Sequence, residues 1–114
     1  MELGEGYFHV VGGGILIDNS NPTLNNVSVL NSQAKFGGGI FLKEANPILN
    51  NVTVSNNVAN NMGGGICFFQ LSNATLDGVL INENIANAGG GIYLFESSSE
   101  LNDINVREDM ILDV

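Results

Sequence analysis

The chain has no tryptophan, one cysteine, one histidine and only three lysine and arginine residues in total. A single cysteine, Cys67, excludes an intrachain disulfide and leaves the redox compartment unread. A single histidine, His9, provides no histidine cluster for a metal and gives a Ser-His-Asp triad nothing to be built around. It is expected in an N-terminal edge strand, Tyr7 to Val11, or facing solvent. Three cations against a net charge of -9 argue against nucleic acid and against an anionic membrane surface, both of which need clustered Lys and Arg. No apolar run approaches the length of a membrane span, so membrane insertion is not expected. The opening Met-Glu-Leu-Gly-Glu-Gly has neither a basic nor an apolar region and does not read as a signal peptide.

Glycine and asparagine are abundant. There are 15 Gly and 18 Asn in 114 residues, beside 44% hydrophobic residues. These two residue types enter left-handed backbone conformations most readily. The chain therefore reads as many short strands joined by tight corners, in a single domain spanning 1–114. Within it, 1–11 reads as an N-terminal edge or cap and 12–106 as repeats. Residues 107–114 read as an acidic, solvated end, continuing the run that holds Glu96, Glu100 and Asp103.

The repeat is explicit. Glycine triplets stand at Gly12-Gly13-Gly14, Gly37-Gly38-Gly39, Gly63-Gly64-Gly65 and Gly89-Gly90-Gly91, each followed by Ile and a short apolar run. A second element runs from Pro22 to Val29 and from Pro47 to Val54, and degenerates at 74–81 and 99–106. A third links it to the next triplet: Asn31-Ser-Gln-Ala34, Asn57-Val-Ala59 and Asn84-Ile-Ala86. In the second unit the apolar patches are Ile40/Leu42, Ile48/Leu49 and Val52/Val54. Their alternation and β-branched content predict strands. Two residues, Asn50 and Asn51, separate Leu49 from Val52 and break the period of two. A corner is therefore expected there, at Asn50 and likewise at Asn25.

Each unit is thus expected to be three short strands curling round an apolar interior, with about four coils of roughly 25 residues stacked as parallel sheets about 4.8 Å apart. Inward residues then form columns: Ile15, Ile40, Ile66, Ile92; Leu24, Leu49, Leu76, Leu101; Val27, Val52, Val79, Ile104; Val29, Val54, Ile81, Val106. The triplets would sit where each coil turns into its first strand, and stacked Asn amides would hydrogen-bond from coil to coil.

The pattern Asn-Pro-x-Leu-x-Asn-Val-Thr-Val, then Asn-x-Ala, then Gly-Gly-Gly-Ile resembles the right-handed parallel β-helix repeats of the pectate-lyase-like superfamily. It is especially similar to bacterial surface repeats of the chlamydial polymorphic outer membrane protein type. Their hallmarks are Gly-Gly-Ala-Ile and Phe-x-x-Asn. The nearest equivalents of the second are Val54-Ser-Asn-Asn57 and Ile81-Asn-Glu-Asn84, with an aliphatic residue for Phe. The resemblance covers residues 12–106. It implies an all-β, right-handed parallel β-helix in a bacterial exported or cell-surface protein, with a structural or adhesive role.

Enzymes of that superfamily need aspartates on adjacent coils, or calcium-binding acids with a basic residue. The outward positions here are Leu16/Asp18, Phe41/Lys43, Cys67/Phe69 and Tyr93/Phe95, with one acid among them. No paired-carboxylate or metal site is recognisable, so the reading leans against catalysis without closing it, and no cofactor or metal is expected. Phe41, Phe69, Tyr93 and Phe95 are instead expected to form an outward aromatic strip. The alternative reading is a carbohydrate-binding or carbohydrate-active domain, polysaccharide lyase- or hydrolase-like, that uses this strip, with polysaccharide or another β-helix segment or protomer as the partner. The chain is also expected to be a piece of a longer solenoid or a unit that stacks end to end, with homo-oligomers forming through its ends or the strip.

Overall fold

A computed structural model describes residues 9–107 and 110–111. They form fifteen parallel-paired strands and no helix. The chain winds past three sheets in turn. The first sheet holds β1 (His9–Val11), β5 (Gln33–Phe36), β9 (Val58–Met62), β12 (Ile85–Ala86) and β15 (Met110–Ile111). The second holds β2 (Ile15–Asp18), β6 (Ile40–Lys43), β10 (Ile66–Phe69) and β13 (Ile92–Phe95). The third holds β3 (Thr23–Asn25), β4 (Ser28–Leu30), β7 (Ile48–Asn50), β8 (Thr53–Ser55), β11 (Asn73–Asn82) and β14 (Ser98–Arg107). Successive coils pair in register, so the molecule is a parallel β-solenoid.

The expected columns are present. Ile15, Ile40, Ile66 and Ile92 are successive partners, as are Leu24, Leu49, Leu76 and Leu101. The middle coils bury Ile40, Leu42, Leu49, Val54, Ile66, Phe68, Leu76 and Ile81 completely. Each fully buried aliphatic side chain contributes about 2 kcal/mol relative to exposure, which makes these columns the main stabilising feature.

Two assignments differ from the sequence reading. The segments Leu49 and Val52/Val54 do not lie on separate faces. They belong to the third sheet, and in the third coil they fuse into the single ten-residue β11. The break between them is a kink on Asn26 (φ 58) and Asn51 (φ 57), with Gly78 (φ 65) at the same place in β11. Asn25 and Asn50 instead end strands β3 and β7. The remaining face is made by β5, β9 and β12, the stretch read as a link. Its inward column is Ala34, Ala59 and Ala86, all buried.

The linking element also shifts by one residue. Ala34 pairs with Ala59, so Ser32, not Asn31, occupies the place of Asn57 and Asn84. Asn31 (φ 55) is a left-handed corner, matching Asn56 (φ 57) and Glu83 (φ 58). Asn57 and Asn84 are fully buried and form a ladder. The Asn57 amide donates to Asn84 Oδ1 at 3.0 Å and to the Val29 carbonyl at 3.1 Å. Its own Oδ1 accepts from the Ser32 N–H at 2.9 Å. The Asn84 amide donates to the Val54 carbonyl at 3.0 Å.

The triplet at 37–39 shows why three glycines are needed together. Gly37 has φ 65, where a side chain is strained. A Cβ on Gly38 would lie 2.4 Å from the Val58 carbonyl oxygen and 2.6 Å from that of Gly64. A Cβ on Gly39 would lie 2.7 Å from the Gly65 carbonyl oxygen. One glycine turns the chain, and the next two allow coils to touch backbone to backbone.

Candidate functional site

The outer side of the second sheet carries two rows. Leu16, Phe41, Cys67 and Tyr93 are register partners, and so are Asp18, Lys43, Phe69 and Phe95. The rows are not uniformly exposed. Phe41 is only 6% exposed and Cys67 is buried, so the middle of the strip belongs to the interior. Burial pushes the Cys67 thiol up to about 12, which leaves it protonated and a poor nucleophile at neutral pH.

The neighbouring sheet explains this burial. Val11 and Phe36 stand just before their glycine corners and face the same hollow as Leu16, Phe41 and Phe69. Together with Asp18 and Lys43 they line an open groove of about 400 Å³. Its floor is apolar, and among the described residues its charged groups are that acid and that base, which are register partners on adjacent coils. Sequence reasoning missed Val11 and Phe36. The available signal was the apolar residue preceding the triplet at 12 and at 37.

Three of the four residues expected to bind ligand come together as a ring stack. Phe41 and Phe69 lie 5.8 Å apart between centroids, with planes at 29°. Phe69 and Phe95 lie 5.2 Å apart at 15°. Nearly parallel rings this close cannot be coplanar, so they stack with faces towards each other, Phe69 over its register neighbour Phe95 and diagonally against Phe41. Phe69, stacked on both sides, therefore presents its edge and not its faces to solvent. Tyr93 lies in the other row, above Cys67, and is half-buried. At the end of the stack Phe95 is 38% exposed.

Among the residues described, no group of His, Cys, Asp and Glu could hold a metal ion. His9 is placed in β1 by its backbone. The expected N-terminal edge residues Tyr7 and Phe8, and Glu108, Asp109 and Asp113 of the acidic end, lie outside the described residues.

Comparison with family models matches residues 7–109 to the right handed beta helix region. Neither the curated proteins nor the solved structures give a match.

Proposed function

The chain belongs to the right-handed β-helix family, and on that premise we propose that it is a non-catalytic structural and adhesive module of a bacterial exported or cell-surface protein. Its contact surface in this reading is the groove between the first and second sheets. One observation carries the proposal: an apolar hollow of about 400 Å³ whose charged lining, among the described residues, is Asp18 and Lys43. Such a lining suits recognition of an apolar surface better than bond cleavage, which calls for paired acids or an activated nucleophile. The parallel ladders on both sides hold the groove walls fixed, so binding would cost little ordering of the protein.

Polysaccharide binding is the second reading. Sugar rings stack on exposed aromatic faces, but the faces of Phe69 are turned towards Phe41 and Phe95. The outer face of Phe95 is the part of the strip that favours a sugar.

The test is binding of the purified chain to apolar-coated and polysaccharide-coated surfaces. Leu16→Glu alters an exposed groove residue and is expected to weaken apolar binding about tenfold, equivalent to about 1.4 kcal/mol. Binding to polysaccharide that is abolished by Phe95→Ala but indifferent to Leu16→Glu would favour the second reading. Release of new sugar chain ends during incubation would reject a non-catalytic role altogether.

A further inference from the structure

Asp18 and Lys43 stand side by side in the groove lining, on the ends of β2 and β6. Asp18 is exposed and Lys43 half-buried. The Asn19 N–H donates to the Lys43 carbonyl at 2.9 Å, which pins the two coils together just past the pair. Their backbones therefore lie about 4.8 Å apart. Even so, neither side chain forms an ion pair with the other or with any other described residue. The groove thus offers one free negative group and one free positive group, a single coil apart, above the apolar side chains of Leu16, Phe36 and Phe41.

Each simple class of occupant leaves something unmet. A purely apolar molecule filling the hollow takes water from both charges and returns nothing to either. An anion gains Lys43 but lies beside Asp18, in the field of a chain of net charge -9. A cation gains Asp18 but lies beside Lys43. A molecule with both signs close together and an apolar body meets all three demands. The pair gives up little to admit it, because exposed charges gain little from each other. A hollow of about 400 Å³ is at the lower end of the range for small-molecule sites, which fits one small ligand. We propose that the groove binds a small apolar zwitterion, of the class of free leucine or phenylalanine. Its ammonium lies on Asp18, its carboxylate on Lys43 and its side chain against Leu16, Phe36 and Phe41. The inference rests on the groove being the contact surface, as proposed above, and names what that surface selects.

The experiment is an amide NMR titration of the full chain with three probes: L-phenylalanine, N-acetyl-L-phenylalanine, which lacks the ammonium, and L-phenylalaninamide, which lacks the carboxylate. Phenylalanine is expected to bind about tenfold or more tightly than either derivative, because each derivative leaves one charge of the pair unmet. In Asp18→Asn the advantage over the N-acetyl compound is expected to vanish while that over the amide remains. Lys43→Met is expected to do the converse. A change of preference that follows the substituted charge is not produced by a loss of folding. Equal affinity of the native chain for all three probes, or binding of none, overturns the proposal. The adhesive reading is followed separately, by retention on an apolar-coated surface. Retention that falls with Leu16→Glu but is not displaced by phenylalanine overturns this inference and leaves the adhesive reading standing. Absence of both retention and binding overturns the two together.

Discussion

Two amide ladders run along this solenoid, one inside and one outside. Inside, Asn57 and Asn84 join at 3.0 Å and also bind backbone groups of the preceding coils. Outside, Asn50 donates to Asn25 at 2.9 Å and Asn51 to Asn26 at 2.7 Å. The chemistry and the coil-to-coil spacing are alike, and the outer bonds are no longer than the inner one. What differs is the alternative open to each amide when a bond is lost. Outside, water replaces the partner. Inside, donors and acceptors are left unpaired in an apolar surround, at a cost of about 1–3 kcal/mol each. Geometry alone therefore does not rank these ladders.

Breaking the inner ladder should give the largest effect. Asn57→Ala leaves the Ser32 N–H and the Val29 carbonyl without their partner. The expected loss is about 4 kcal/mol, and a Tm lower by roughly 15 °C, measured by circular dichroism. Cys67 gives an independent readout, since its buried, protonated thiol should react with an alkylating reagent only as the coil opens. Extending the inner ladder should have a smaller effect of opposite sign. Ser32→Asn places an amide in the first coil, one rung before Asn57, and is expected to add about 1 kcal/mol in denaturant unfolding. The smallest effect is expected outside. Asn51→Gly keeps the left-handed corner, as Gly78 does one coil later, and removes only a solvated bond. A loss of about 0.5 kcal/mol is expected, and a loss comparable with that of Asn57→Ala would erase the distinction.

Much of this architecture was legible in the residues. Ile40/Leu42 and Val52/Val54 alternate clearly, and the glycine triplets mark a corner that no other residue could fill. The face formed by β5, β9 and β12 was not legible, because its inward residues are Ala34, Ala59 and Ala86. A column of alanines leaves little trace in hydrophobic periodicity. The kink fell one residue from the expected place because Asn25-Asn26 and Asn50-Asn51 are doublets, and either member can adopt φ > 0. The candidate groove was half legible. The outer rows were readable from strand alternation, but Phe41 sinks to 6% exposure beside a wall, with Val11 and Phe36, on another sheet. Ring orientation within the stack is set by the spacing between coils, which no single repeat encodes.

Coil length is not constant, and the corners absorb the difference. Phe69 pairs with Lys43, 26 residues earlier, but Thr75 pairs with Ile48, 27 earlier. The extra residue is accommodated at Leu71, 74% exposed and at φ 57, in the turn between β10 and β11. Another register shift falls between Ala34 and Phe36, where β9 bulges at Asn60-Asn61. Downstream of each irregularity the apolar columns resume in step. The fold thus behaves like a text with frequent punctuation: a miscounted word spoils one line, and the next line begins again at its margin.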